Sequence, residues 1–473
     1  MRRTKIICTL GPASSSSKVL RNLAKAGMNI ARLNFSHGTH TEHLSRIKTI
    51  RRFQKEEGVY IPILGDLGGP KIRVGVLERN LSLETGKTVT IYCGKQKGGS
   101  ETSSEYIPIP YKNLYRHVHK GSTILLDDGT IRLKVNRVEG RKIICGIDDG
   151  GVLESRKSVN VPGISMGLRF PTEKDREDLK FAQDNGVDFI GVSFVRNSRD
   201  LIKIRRLLRG QGREIPLIAK IELPEAVRDI DRIIKEADGV MVARGDLGVE
   251  MPTEEVPLIQ KEIVKKCRKD AKPVIIATQM LESMVENVIP TRAEATDVAN
   301  AIFDGSDILM LSSETSVGRN PVRALSTMVR IITKTEGAID YGMDMGRKMV
   351  SGGSTIADAI SRAACVSADS LKACAIIVPT FSGSTARLVS SLRPSVPIYA
   401  ITHNRRLLPY LDLLWGTTPF IVPEAKSTDR MIESSIDIAK RDAGLKKGDI
   451  AVITAGVPLN VPGTTNLIKI EKI

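Results

Sequence analysis

Two short segments carry the residues best suited to chemistry. PLIAKIELPEA (residues 216–226) and GVMVARGDLGVE (residues 239–250) run through β-type residues and end abruptly in charge, first at Lys220 and Glu222, then at Arg244 and Asp246. Along a strand, residues i and i+2 share a face, so Lys220 and Glu222 project to the same side from one strand end. An ammonium there can neutralise a moving anionic group, and a carboxylate can hold a divalent cation. The pairing points to phosphate chemistry.

Groups of this kind need a frame that brings strand ends together. Eight apolar runs read as strands: 5–10, 29–35, 61–66, 189–194, 216–222, 239–244, 273–278 and 307–312. Amphipathic stretches such as VLRNLAKAG (19–27) and DIDRIIKEA (229–237) separate most of them. Eight such units are what a parallel (β/α)8 barrel requires, with a doubly wound open sheet as the alternative. The polar residues favour the barrel. Arg32, Asn34, Asp66, Ser193, Lys220, Asp246, Thr278 and Ser312 fall at or just beyond the carboxyl ends of strands, which a barrel gathers into one mouth.

One connection breaks the rhythm. Between strands three and four the chain shows short β patterns with Asp-Gly and Gly-Gly turn signals, as in STILLDDGTIRLKV, and reads as an inserted β-barrel lid. A smaller α/β pattern follows the barrel. The expected division is 1–68 and 165–345 for the barrel, 69–164 for the lid and 346–473 for a C-terminal α/β domain.

Composition narrows the function classes. The chain has 473 residues, 41% of them hydrophobic, and a formal net charge of +17. Its basic residues are dispersed and only 4% of residues are aromatic, so stacking platforms for bases are scarce and a dedicated nucleic-acid role is not expected. No apolar run approaches the roughly 20 residues a membrane span needs. A cytoplasmic location is expected, with six reduced, mostly buried cysteines, since no C-x-x-C spacing occurs. His37, His40 and His43 stand at three-residue steps but read better as positions along a polar helix than as a metal cluster.

TKIICTLGPAS (4–14), ARLNFSHG (31–38), AKIE (219–222), ARGDLGVE (243–250), ATQMLESM (277–284) and PTRAEATDVANA (290–301) resemble the motifs of the pyruvate kinase family, in the same order and over nearly the whole chain. The resemblance implies transfer of the phosphoryl group of phosphoenolpyruvate to ADP, giving pyruvate and ATP. It implies Mg2+, with Mn2+ as an alternative, on Glu222 and Asp246. Lys220 would stabilise the phosphoryl group in flight and Arg32 would assist. Thr278 would serve the protonation of the enolate, and the Gly245 and Asp246 N–H groups would receive the substrate carboxylate, with Ser193 also lining the substrate site. Arg32, Asn34, His37, Arg73 and Lys157 match positions on the nucleotide side.

Against the family pattern, one departure has a physical consequence. Many relatives bind K+ through residues matching Asn34, Ser36, Asp66 and the position of Leu67, where a hydroxyl residue is usual. Leucine offers no side-chain oxygen, and Lys71 stands where those relatives carry an acid. A lysine ammonium can supply the missing positive charge, so potassium is not expected to be required. PTFSGSTAR (379–387) resembles the family's effector loop, so Thr380, Ser382, Gly383, Ser384 and Thr385 are expected to meet a phosphorylated allosteric effector, with VPGTTN (461–466) as the partner loop. A homotetramer is implied as well. The competing readings are another metal-dependent barrel enzyme acting on phosphoenolpyruvate or pyruvate, and a basic RNA-binding protein with a vestigial site.

Overall fold

The computed structural model describes residues 2–94, 106–164, 167–210, 214–341, 355–458, 461 and 463–473. Eight parallel strands, Lys5–Thr9, Ile30–Asn34, Ile63–Asp66, Phe189–Val192, Leu217–Ile221, Gly239–Ala243, Val274–Ala277 and Ile308–Leu311, close into a barrel in sequence order. Each expected strand is present, and each is shorter by one or two residues. Glu222, Thr278 and Ser312 lie just past their strand ends, and Arg244–Glu250 turns directly into helix. The (β/α)8 barrel is the observed architecture, and the open sheet is excluded by closure of the first strand on the eighth.

Period-two alternation builds the interior in layers. Ile30, Leu64, Ile218, Met241, Ile275 and Ile308 belong to one apolar cluster inside the barrel. Two residues further along three of these strands stand Arg32, Asp66 and Lys220, so the same inward face changes from apolar to charged as it nears the mouth. The outer faces of the strands join the larger cluster shared with the surrounding helices. Three of those helices begin with a capping box, at Thr39 with Glu42, Thr172 with Asp175 and Thr291 with Glu294, which fixes where the loops at the mouth end.

The insert has its own apolar core, which includes Ile91, Ile107, Leu133 and Ile143. Its strands form a seven-stranded sheet and a two-stranded ribbon. The expected hairpin in STILLDDGTIRLKV is present, Thr123–Leu126 pairing antiparallel with Ile131–Glu139. Ile72–Arg73 pairs with Ser158–Asn160, so the two ends of the insert lie side by side where it joins the barrel.

The C-terminal part is a five-stranded sheet in the order Thr417–Ile421, Ile398–Thr402, Ala375–Pro379, Ile450–Gly456 and Thr465–Lys472, parallel except for the last strand. Helices Ile356–Ser370, Ser384–Ser391 and Thr428–Asp442 accompany it. The expected division near 345 falls outside the described residues, and that near 164 falls beside residues 165–166, which also lie outside them. The C-terminal part meets the barrel at its amino-terminal end. There Tyr410 and Leu413 join the interior barrel cluster, and buried Arg393 pairs with buried Asp307 at 2.8 Å.

Candidate active site

At the barrel mouth six side chains form one buried network. The Lys220 ammonium lies 2.9 Å from Glu222 Oε1 and 3.2 Å from Asp66 Oδ1, and donates to Ser193 Oγ at 2.6 Å. Arg32 donates to Asp66 Oδ2 from Nε at 2.8 Å and from Nη2 at 2.6 Å, and its Nη1 donates to Thr9 Oγ1 at 2.9 Å. Ser193 donates to Leu67 O at 2.8 Å. Asp66 is completely buried and Glu222 is 1% exposed, so their charges depend on these cations.

The electrostatics follow from burial set against pairing. Burial alone would lower the Lys220 pKa, but the carboxylates of Asp66 and Glu222 reverse this and raise it. Burial would likewise raise Asp66, and Lys220 with Arg32 holds it below the usual carboxylate value. Glu222 goes the other way: burial pushes its pKa up, and the negative charge of Asp246 adds to the push against the pull of Lys220. A buried carboxylate whose ionisation is made costlier by a second carboxylate is one that a divalent cation would relieve, and the hard oxygens of both suit Mg2+. Among the described residues no group of three or more His, Cys, Asp or Glu could hold a metal, so substrate and water oxygens would complete the shell.

Several backbones at the mouth are strained. Thr278 and Gln279, just past strand seven, have φ of 67° and 54°, and Phe194 has φ of 54°. Positive φ in a β-branched residue persists only where the surroundings enforce it. Arg244 does so here, donating to Thr278 O at 2.9 Å while pairing with Asp297. The Phe194 N–H in turn donates to Glu222 Oε2 at 2.6 Å.

The Thr278 hydroxyl donates to Ala277 O at 2.6 Å and accepts the Gly245 N–H at 2.8 Å. Gly245 therefore has a partner other than the substrate carboxylate expected for it, and it sits inside the first turn of a helix and not in a turn ahead of one. Leu67 is buried in the core cluster and contributes only its backbone oxygen. Lys71 is neither bare nor on Asn34 or Ser36 in the hydrogen bonds observed: its ammonium lies 3.0 Å from Asp246 Oδ1 and 3.3 Å from Asp128 Oδ1. Those two carboxylates overcome the effect of burial and raise its pKa.

Among the residues expected on the nucleotide side, Asn34 Oδ1 accepts the Ser36 N–H at 3.1 Å and shapes the loop that carries His37. Partial burial lowers the pKa of His37, and Arg73, Arg32 and Lys71 lower it further, so these cations share one neighbourhood. Arg73 donates to Arg156 O at 3.0 Å, and Lys157 pairs with Asp127 at 3.0 Å, both within the insert. His40 pairs with Asp178 and stacks on Phe181, while His43 bonds His37 O, which gives both imidazoles structural work.

Residue and element geometry thus match the motif order along the chain. Residues 1–325 match the family model described as pyruvate kinase, barrel domain, and residues 358–471 match that described as pyruvate kinase, alpha/beta domain. The chain belongs to the pyruvate kinase family. A pyruvate kinase of Geobacillus stearothermophilus is 47% identical over 476 residues, covering 100% of this chain and 80% of the relative. One of Clostridium acetobutylicum is 44% identical, with 100% of both chains covered. The crystal structure of a pyruvate kinase from Cryptosporidium parvum matches with a TM-score of 0.92 and 36% identity, covering 100% of this chain and 96% of that one. The chain is accordingly a phosphotransferase of the pyruvate kinase type, and the readings as a different barrel enzyme or an RNA-binding protein are set aside.

Sequence reasoning missed three features of the site. Asp66 is the hub joining Arg32 to Lys220, Arg244 braces the Thr278 backbone, and Asp128 reaches the mouth from the insert. Asp128 sits in an Asp-Asp-Gly turn that carries only a hairpin signal, so its reach to Asp246's neighbour Lys71 had no signature in the sequence.

Distant from this centre, a cleft in the C-terminal part is lined by Thr380, Ser382, Ser384, Thr385, Val461, Gly463 and Thr464. Gly383 N–H donates to Thr380 Oγ1 at 3.0 Å, which sets up the start of helix Ser384–Ser391. The buried Thr385 hydroxyl is hydrogen-bonded to Thr465 at 2.7 Å. The two expected loops do face one cleft.

Proposed function

We propose that the mouth of this barrel moves the phosphoryl group of phosphoenolpyruvate to ADP with Lys220 and Arg32 as the cations that meet the group in transit. The observation that carries the reading is the buried Lys220 ammonium held by Glu222, Asp66 and Ser193, since a preorganised cation in a site shielded from water stabilises developing charge without reorganising. Glu222 and Asp246 would hold Mg2+ or Mn2+, which supplies further charge neutralisation and alignment of substrate oxygens. The enolate left behind takes up a proton. Thr278 serves that step through a relay, because its hydroxyl is a weak acid already hydrogen-bonded at both lone pair and proton. Asn34, His37, Arg73 and Lys157 line the approach of the ADP phosphates, and the N–H groups at Gly245 and Asp246 receive the carboxylate once Thr278 yields its bond.

Potassium is not required in this reading. Leu67 withdraws a ligand and Lys71 brings a fixed positive charge to the carboxylate side of the mouth. Turnover followed by pyruvate formation, with and without ADP and Mg2+, tests the reaction. In buffer free of sodium and potassium the chain is expected to stay active, and Lys71→Glu combined with Leu67→Thr is expected to create a K+ requirement. A strong, saturable K+ dependence of the unaltered chain would sink the idea.

Three coarser expectations complete the proposal. The chain divides into barrel (1–68 and 165–345), lid (69–164) and C-terminal domain (346–473), a reading supported by the separate apolar cores of the three parts. The C-terminal cleft takes a phosphorylated effector, tested by titrating phosphoenolpyruvate against sugar phosphates and AMP and reading the change in sigmoidality. The chain works as a cytoplasmic homotetramer. Leu258, Ile289 and Phe303 are 68%, 66% and 56% exposed on the barrel surface, which suits burial against further copies, and sedimentation would report the mass. No described helix is long and apolar enough to cross a membrane.

A further inference from the structure

Lys71 stands between two carboxylates that belong to different parts of the molecule. Asp246 Oδ1, on the barrel, lies 3.0 Å from its ammonium, and Asp128 Oδ1, on the insert, lies 3.3 Å from it. Lys71 stands at the junction, just before the insert strand Ile72–Arg73, and its preceding segment is anchored to the barrel. Its N–H donates to Gly69 O, and the Gly69 N–H donates to Asp175 Oδ1 at 3.0 Å, in the first turn of helix Glu173–Asp184. Gly69 has φ of +65° and presses so close to the barrel that a Cβ would come within 2.8 Å of Phe194 Cδ2.

Asp128, by contrast, rides on the insert. It occupies the turn between Thr123–Leu126 and Ile131–Glu139, where Asp127 and Asp128 have φ of 52° and 53°. Two adjacent non-glycine residues in the left-handed region are costly, and such strain persists where the surroundings hold it. Ser158 does the holding: its Oγ accepts the Asp128 N–H at 2.7 Å and donates to Asp128 Oδ1 at 2.6 Å. The carboxylate is thereby aimed at Lys71 although its side chain is 68% exposed.

We propose that Asp128 is a positioning residue for the transfer: through the Lys71 ammonium it ties the lid turn to Asp246, so that closing the lid fixes the carboxylate on the metal side of the site. The role rests on the assignment of Asp246 to the divalent ion. A second contact between insert and barrel, from Asn160 Nδ2 to Glu250 Oε1 at 2.7 Å, involves neither Lys71 nor Asp246 and serves as the control.

The test is a double-substitution cycle on the full chain, read by amide hydrogen exchange of residues 123–131 without substrates and by steady-state kinetics. Asp128→Asn and Lys71→Met are each expected to speed that exchange, and Asp128→Asn to raise the KM for ADP, by about three- to fivefold, the scale of a partly exposed ion pair. The double variant should exchange no faster than the stronger single one, because both break the same link. Asp128→Glu should keep most of the protection, and Asn160→Ala should add independently to Lys71→Met. Additive effects of Asp128→Asn and Lys71→Met, or unaltered exchange in Asp128→Asn, would overturn the tether. If Asp246→Asn kept full turnover, the metal assignment would fall and the positioning role with it, even with the exchange coupling intact.

Discussion

In the proposed transfer, Lys220 is a single residue with both a structural and a chemical part. Its ammonium is the cation that two buried carboxylates share, so Lys220→Met leaves Glu222 without a charged partner and Asp66 with Arg32 alone. Breaking a buried pair from one side costs on the order of 3–5 kcal/mol, and loss of a preorganised charge at the transition state costs about a hundredfold to a thousandfold in kcat. The variant is expected to melt at lower temperature and to lose at least about a hundredfold in kcat, with a smaller change in KM for phosphoenolpyruvate. Thermal unfolding and steady-state kinetics check both, and a wild-type kcat would remove Lys220 from the transfer step. Lys220 and Glu222 were legible because a two-residue spacing at a strand end dictates a shared face. Asp66 was legible only as a position, since its partners come from strands two and five.

At the scale of elements, strand four shows how backbone makes room for charge. Gly191 pairs in register with Asp66, and a Cβ there would lie 2.7 Å from Asp66 Oδ1. Gly191→Ala therefore pushes the carboxylate away from Lys220 and Arg32 without touching substrate. Overpacking of this kind costs roughly 1–3 kcal/mol, and a displacement near 1 Å in a positioned group can cost about a hundredfold in rate. The expected result is a fall in kcat of at least about tenfold with the barrel still folded, measured by turnover and circular dichroism. Barrel strands were readable because parallel strands buried on both faces appear as continuous apolar runs. The pairing of Ile72–Arg73 with Ser158–Asn160 was not, because no local pattern links two short segments so far apart in the chain.

Across the whole molecule, the floor of the barrel is sealed by a foreign element. Tyr410 and Leu413 of the short helix Leu408–Leu413 pack against the interior strand residues, and Asp412 between them lies 3.9 Å from the Lys5 ammonium. Lys5 also donates to Thr417 O at 2.6 Å, joining the first strand to the C-terminal sheet. Burial pushes the Asp412 pKa up to about 6, against the pull of Lys5 and with the repulsion of Asp188. A raised folded-state value means that Asp412 contributes stability at low pH which is lost as pH rises from about 4 to about 6. Asp412→Asn should flatten that interval. The parent should lose stability relative to the variant as pH rises through it, by the equivalent of about 3 kcal/mol, and the difference in melting temperature should stay constant above. A difference independent of pH would show that Asp412 does not titrate there.

The sequence by itself determined the periodic apolar runs, the charged residues at their carboxyl ends and the motif order, because strand period and turn chemistry are local. These are enough for a (β/α)8 barrel, an inserted β unit, a C-terminal α/β unit and a phosphoryl-transfer site. Only the tertiary structure decided which charges neutralise which. Glu222 meets Lys220 from the same stretch of chain, but Asp66, Arg32, Ser193, Lys71 and Asp128 reach their partners across strands and across the insert. Burial fixes the energy of an ion, and burial is a property of the closed barrel that no single segment carries.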